Sequence, residues 1–506
     1  MSVIDRAKAA LRDPNPIVRK ELLATLRTPL YVRAVVVSLI ALAVLVVSVA
    51  LGVSDNDDTT EAGRVLFQVF MGGSFMVMAL VGPTLGATAI VQEREARTLD
   101  ALVLSGLGPR RVVWGKLLAV FAAMAFIPLV SVPMLGAVVL FGGVSIGQIV
   151  AATFWVMALG ALGVALGVAI SARAQSTRMA LLGALPASLM AAMVLGGVLA
   201  AVGHDFARRH SLTLDGPFFF ADAYFALPFG REYLATLVLF PLAITGLSFW
   251  MCWALAHSGL LEPTQDRSLP LKRWALGSAL VSVAVLAACA RLWAVNAEGR
   301  RAMAWVFVSV AGFVSLVLSY AFVGEATTPT RRMERERPGV IARTLMPPTV
   351  GPSMWFLVVL GAASMVLAPT LIAGGSRGLT YFGMWCASSA AAFAAFMGWT
   401  ATRGPKGAAA ARLWGSVWLF VSFIGLWLVA ALGDQVRHAT THPSLVLVLS
   451  PSWAVIAAAD RYVGRSMSYG GDVDGAMLTG AIAQAVAAAV FLTLMQREAR
   501  RRAEKA

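Results

Sequence analysis

Residues 92–119 read Gln92-Glu93-Arg94-Glu95-Ala96-Arg97-Thr98-Leu99-Asp100-Ala101-Leu102-Val103-Leu104-Ser105-Gly106-Leu107-Gly108-Pro109-Arg110-Arg111-Val112-Val113-Trp114-Gly115-Lys116-Leu117-Leu118-Ala119. This is a charged island between two long apolar runs, so it lies in water at a membrane face. Glu93-Arg94-Glu95 is a polar turn. The spacing of Leu99, Leu102 and Val103 predicts one apolar side of a short helix lying on that face. Gly106, Gly108 and Pro109 break that helix, and Arg110, Arg111 and Lys116 mark the approach to the next apolar run.

Composition identifies the solvent around that island. Of 506 residues, 59% are hydrophobic and only 13% charged, and the mean hydropathy is +0.77. Many runs reach the ~20 residues that cross a hydrocarbon core. Backbone groups in lipid must be satisfied within their own segment, so an all-α polytopic bundle is expected; the alternation of a barrel strand is absent. Cys252, Cys289 and Cys386 sit inside apolar runs and suggest packing, not a disulfide framework or a zinc site. No cleavable signal peptide is expected, because a charged segment of 33 residues precedes the first apolar run.

Twelve spans are predicted, at 32–53, 65–92, 116–142, 146–171, 179–203, 232–256, 274–295, 303–324, 353–374, 379–401, 413–433 and 476–495. With the N-terminus inside, the water-exposed segments alternate in and out and end on an inside C-terminus. Of the 41 Lys and Arg, 30 then fall on inside segments, whereas Asp and Glu divide 13 and 13. That is the positive-inside pattern, and it accounts for the net charge of +15 without nucleic acid. The spans carry almost no charge, which argues against a proton relay through the bundle.

Upstream, Asp13 to Thr28 predict an interfacial amphipathic helix. Pro14 and Pro16 suit its start and Pro29 its end. Ile17, Leu22, Leu23 and Leu26 are expected to share a face, with Arg19, Lys20 and Arg27 toward headgroups. Asn15-Pro16-Ile17-Val18-Arg19-Lys20-Glu21-Leu22 resembles the N-terminal elbow helix of ABC-2-type transporter permeases. The island resembles the loop between their second and third membrane helices, where a Glu-rich stretch, a Thr98-Leu99-Asp100 step, a Ser-containing turn and a Gly115-Lys116-Leu117 close follow one another. The resemblance implies an ATPase-coupling loop at Glu93, Arg94, Glu95, Thr98, Leu99, Asp100 and Lys116, and an elbow helix carrying Asn15, Pro16, Arg19, Lys20 and Glu21.

The island recurs 241 residues on. Glu93-Arg94-Glu95 returns as Glu334-Arg335-Glu336, Trp114 as Trp355, and Pro29-Leu30 as Pro270-Leu271. The first six spans, so shifted, fall on or near the second six. The expected organisation is a cytoplasmic N-terminus with its elbow helix (1–31), a six-helix half (32–256), a cytoplasmic linker (257–273), a second six-helix half (274–495) and a basic tail (496–506). The second half lacks a clear elbow helix, and Val340-Ile341-Ala342-Arg343 replaces the Thr-Leu-Asp step. Its membership in the family rests on the repeat.

Each half has one long outside segment before its last span. The first, His204–Arg231, carries Phe218, Phe219, Phe220, Tyr224 and Phe225; the second, Asp434–Ala476, carries Trp453 and a broken apolar run from Leu445 to Ala459. Interfacial aromatics are the ordinary reading, and a role guiding an amphiphilic substrate is the sharper one. The run at 445–459 suits a re-entrant or interfacial piece.

Catalytic patterns are missing. Gly108 to Gly115-Lys116 has the wrong spacing for a phosphate-binding loop, and Leu117 stands where a hydroxyl would hold magnesium. Leu104-Ser105-Gly106-Leu107-Gly108 only echoes an ATPase signature, with no nucleotide fold around it. The histidines at 204, 210, 257, 438 and 442 lack metal-ligand spacing. The expectation is therefore no enzyme and no cofactor in this chain. The resemblance implies a permease subunit, an exporter, driven by ATP and Mg on separate cytoplasmic ATPase subunits. Permeases of that family have six helices and pair two chains, so the repeat predicts one permease chain with two ATPase subunits; the alternative is an accessory domain at 274–495, with two chains pairing through their N-terminal halves. A prokaryotic inner (plasma) membrane is expected, with both termini cytoplasmic by the charge pattern. The alternatives are a twelve-helix secondary transporter and a non-transporting membrane anchor or assembly protein. Neither the residues nor the resemblance identifies the transported substrate.

Overall fold

The computed structural model describes residues 16–27, 29–53, 59–99, 108–189, 191–192, 230–262, 264–292, 297–326, 328–335, 348–403, 407–422, 448–451, 454–455, 457–458 and 473–503. Regular structure among them is helical throughout. Eight of these helices are long and apolar enough to cross a membrane, or nine if one bent pair forms a single span. The protein is an all-α polytopic membrane protein. It divides into two compact units, Met1–Leu261 and Glu262–Ala506. Within the expected linker 257–273, helix runs to Leu260 and resumes at Leu269.

In the first unit, α1 (Pro16–Arg27) opens on a proline whose missing N–H costs nothing at a helix start. It meets α2 (Pro29–Val53) at 67°. The apolar face of α1 is not the one expected. Ile17 is buried in the core of the unit with Val113 and Leu117, and Leu22 and Leu26 pack on Tyr31, Val35 and Ala123. Leu23 is 43% exposed, on the side of Arg19, Lys20 and Arg27. At 100° per residue, Leu23 cannot share a face with Ile17, and the neighbouring helix claims the Ile17 side. Leu23 is thus left as a large outward apolar residue of this helix.

Two long helices, α3 (Thr59–Thr88) and α6 (Ile146–Ser171), form the closest pair of the unit. A Cβ on Gly86 would meet the Val164 carbonyl oxygen, and one on Gly167 the Pro83 carbonyl oxygen. In lipid, where apolar surface gains nothing from burial, such backbone approach supplies the attraction. Between them come the five-residue α4 (Val91–Glu95) and α5 (Pro109–Phe141). The helix of α5 starts at Pro109, not at 116 as expected. Arg110, Arg111 and Lys116 therefore ride on the helix, because Gly108-Pro109 is itself a good helix start. Residues 177–189 form α7. The unit closes with α8 (Phe240–Leu260), entered through a π-helical turn at Leu234–Leu239.

The second unit repeats the order with α9 (Leu269–Leu292), α10 (Ala297–Phe322), α11 (Arg331–Arg335), α12 (Val350–Ala373), α13 (Arg377–Ala401), α14 (Gly407–Phe420) and α15 (Val473–Ala503). Trp114 and Trp355 each occupy the sixth position of their helix and are 41% and 39% exposed. The charged triplets do not keep register: Glu93 is the third residue of α4, and Glu334 the fourth of α11. No elbow helix precedes α9. Residues 264–268 form turns instead, in which the Ser268 amide and hydroxyl both donate to Asp266 Oδ1, at 3.0 and 2.6 Å. The core centres on the Ala-rich α13, where Trp385 Nε1 donates to the Val448 carbonyl at 2.9 Å. Val448, Ala454, Ala457 and Ala458 are buried in that core, so these parts of the broken run at 445–459 are packed into protein, not laid on an interface.

Candidate functional site

Lys116 gathers the expected loop residues of the first unit. It sits two turns into α5 and is 3% exposed. Its ammonium donates to Glu21 Oε1 of α1 at 2.9 Å and to Glu93 Oε1 of α4 at 3.0 Å. Glu21 and Glu93 are about one-quarter and one-fifth exposed, so the cluster is closed on the lysine side and open on the carboxylate side. A lysine buried this deeply is tolerated only because two charge-assisted bonds replace its water. One ammonium thereby joins the elbow helix, the loop and a membrane helix.

The loop itself is built to hold this shape. Arg97 takes the left-handed conformation (φ 57°) that ends α4. The Arg97 amide bonds back to the Arg94 carbonyl at 3.1 Å, and the Thr98 amide to the Glu93 carbonyl at 2.9 Å. That pair is the helix-ending motif in which glycine is usual. The Thr98 hydroxyl donates to the free oxygen, Oε2, of the Glu93 carboxylate. Leu99 packs against the core of the unit.

Three further side chains fasten the loop to the end of α6 and the turn before α7. Ser171 Oγ accepts from the amides of Ile90 and Val91, at 3.0 and 2.9 Å, and so satisfies the start of α4. The Arg94 guanidinium donates to the carbonyls of Ala172 (2.8 Å) and Ala174, at the negative end of α6. The Glu95 carboxylate accepts from the Thr177 amide at 2.8 Å and its hydroxyl at 2.7 Å, capping α7. Arg173 in the same turn donates to Ser258 Oγ of α8 at 2.6 Å. Glu93, Arg94 and Glu95 are thus all turned onto their own unit, and their bonds reach α5, the end of α6 and the start of α7, with α1 joined through Lys116.

The matching segment of the second unit is different. The side chains of Glu334 and Arg335 are exposed and form no ion pair among the described residues. Its surface pair is Arg332 with Glu262 at 2.6 Å, both about half exposed. The buried cation has moved to another helix. Lys272 of α9, with no exposed surface, pairs with Glu325 at 2.9 Å and stands 5.2 Å from the centre of the Phe322 ring. The Ser353 hydroxyl of α12 donates to Glu325.

Of the residues singled out from sequence, the structure unites Glu21, Glu93 and Lys116, and places Arg94, Glu95, Thr98 and Leu99 beside them. Pro16 opens α1, and Arg19 and Lys20 are exposed on it, Lys20 near enough to add positive potential at Glu93. Asn15, Asp100, Phe218, Phe219, Phe220, Tyr224, Phe225, Glu336 and Trp453 lie outside the described residues. Sequence reasoning missed Ser171, Arg173, Thr177, Lys272, Glu325 and Ser353. The stretch Ser171-Ala172-Arg173-Ala174-Gln175-Ser176-Thr177, polar between two apolar runs, was the available signal for the first three.

Among the described residues no group of three or more His, Cys, Asp and Glu side chains could hold a metal. What the arrangement offers is mechanical: a rigid polar layer at one end of a helix bundle. Residues 44–257 match the family model described as ABC-2 family transporter protein. No curated protein matches the chain.

Proposed function

We propose that the chain, whose residues 44–257 match the ABC-2 transporter family model, works as an ABC-2-type permease, an exporter driven by ATPase subunits that dock on the polar layer around Lys116. Permeases of this kind work with ATPase subunits. In this reading those subunits hold ATP and Mg, and this chain contributes no catalytic group. The observation that carries the docking site is the double contact of Lys116, because a subunit pushing on α4 moves α1 and α5 with it through Glu93 and Glu21. The basic balance of the predicted inside segments supports cytoplasmic termini in a prokaryotic plasma membrane. The recurring helix order supports two six-helix halves in one chain, which one pair of ATPases would serve.

The test is purification of the tagged chain from its own membranes in mild detergent. A nucleotide-hydrolysing subunit is expected to co-purify and to hydrolyse Mg-ATP. Replacing Glu93 and Glu95 by Lys removes the carboxylates that hold Lys116 and Thr177, and is expected to lose that subunit while membrane insertion persists. Wild-type recovery of the ATPase with full turnover in the double variant would refute the docking site.

A further inference from the structure

A groove runs along the second unit between α12, α13 and α15, and its lining is almost wholly apolar. Its volume is about 600 Å³, within the range of sites that hold small ligands. Ala362 of α12, Ala391 of α13 and Ala485 and Ala489 of α15 leave it wide, because side chains of one carbon leave open the space that leucines would fill. Trp355 and Gln496 stand at one end. That end is the polar one of the unit. Trp355 is six residues into α12, and Gln496 precedes the stretch of α15 that carries Arg497, Arg500 and Arg501.

The register of α15 extends the groove toward charge. The lining positions 485, 489, 492 and 496 follow one helical stripe, and Ala499 and Arg500 flank its continuation one turn beyond Gln496, Arg500 being exposed. A long apolar slot, an aromatic residue of the kind found at membrane interfaces, and a cation just past the rim occur together. An apolar chain fits the slot, and an anionic group attached to it reaches Arg500.

We propose that this groove binds one anionic phospholipid, an acyl chain lying over Ala362, Ala391 and Ala489 and the headgroup phosphate meeting Arg500. The site does not depend on the docking of ATPases and is not a transport path. In a bilayer the apolar chain gains little from leaving neighbouring chains, so the preference for one lipid comes from packing against the alanines and from the charge at the rim. The corresponding helix of the first unit, α8, ends at Leu260 and itself carries no arginine after Ala256.

The experiment is native mass spectrometry of the full chain released from nanodiscs of phosphatidylcholine that hold a minor fraction of phosphatidylglycerol. The wild type is expected to retain one phosphatidylglycerol through activation that strips phosphatidylcholine. Ala489→Phe fills the slot from an exposed position and is expected to lose the retained lipid. Arg500→Gln is expected to retain lipid without preference between the two headgroups. Circular dichroism and monodispersity of both variants distinguish lost binding from lost folding, and Val490→Phe, on another exposed face of α15, controls for surface bulk. Equal retention of both lipids by the wild type, or undiminished phosphatidylglycerol in Ala489→Phe, overturns the proposal. Either result leaves the co-purification of an ATPase as it was.

Discussion

Both units bury one lysine against carboxylate, and they do so on different helices. Lys116 lies on α5 and ties the loop to α1; Lys272 lies on α9 and ties the end of α10 to α12 through Glu325 and Ser353. The difference follows from the elbow helix. Where α1 is present, it supplies Glu21, and the loop carboxylate Glu93 completes the pair. Where no such helix precedes α9, the position matching Lys116 is Leu357, buried and uncharged, and the loop charges Glu334 and Arg335 point to solvent. A repeated helix order can therefore hold one loop whose charged triplet is bonded into its own helices and one whose described triplet charges face solvent.

The largest effect is expected at the more deeply buried lysine. Lys272→Met strands Glu325 at 7% exposure, and removing one partner of such a pair costs about 3–5 kcal/mol. Lys116→Met leaves two carboxylates that water already reaches, so roughly 2–4 kcal/mol is expected. Thermal unfolding in detergent should rank them in that order. The reverse order would break the comparison, since it would make the open cluster the stronger fastening.

Next comes coupling. Glu93→Lys with Glu95→Lys is expected to lower the ATP turnover that co-purifies with the permease by at least roughly tenfold, the factor that about 1.4 kcal/mol of lost docking produces. Exchanging the charges at Glu334 and Arg335 should cost about threefold or less, the scale of exposed charges. Equal losses would mean that both loops carry the drive. Native mass spectrometry of the same complex tests the arrangement of the halves. One permease chain with two ATPases is expected, and two permease chains would reassign the second unit to an accessory role.

Smaller differences sharpen the comparison. Ser145 caps α6, accepting from the Gln148 amide while Gln148 Oε1 accepts from the Ser145 amide at 2.5 Å. Ser376 stands at the same place before α13 and makes no side-chain capping bond. Ser145→Ala should therefore cost about 1 kcal/mol and Ser376→Ala close to nothing, read by the same unfolding measurement. Arg332→Ala removes an ion pair that is half exposed at both ends, and a change within about 0.5 kcal/mol is expected.

The all-helical membrane class and the polar loop around Glu93 were legible in the chain itself. The apolar runs, their lengths and the charges between them are properties of contiguous residues, and lipid admits few solutions for such runs. The division near residue 261 lies inside the stretch that the repeat marked as a linker. The bent elbow was legible as a helix between Pro16 and Pro29, yet its buried face was not. Which side of α1 meets protein depends on where α5 packs, and Ile17 and Leu23 are equally apolar in the sequence.

The partners of charged groups were decided by tertiary structure alone. Lys116 finds Glu21 across 95 residues and Arg94 finds Ala172 across 78, with no local pattern linking them. Lys272 and Glu325 looked like ordinary loop charges until the packing of α9, α10 and α12 removed water from both. Sequence determined which residues must meet lipid and which must meet water, because that choice is made segment by segment. The fold decided which charges neutralise one another. In a medium of low dielectric a charge must pair with whatever the packing brings within about 3 Å, and only the packed helices set that distance.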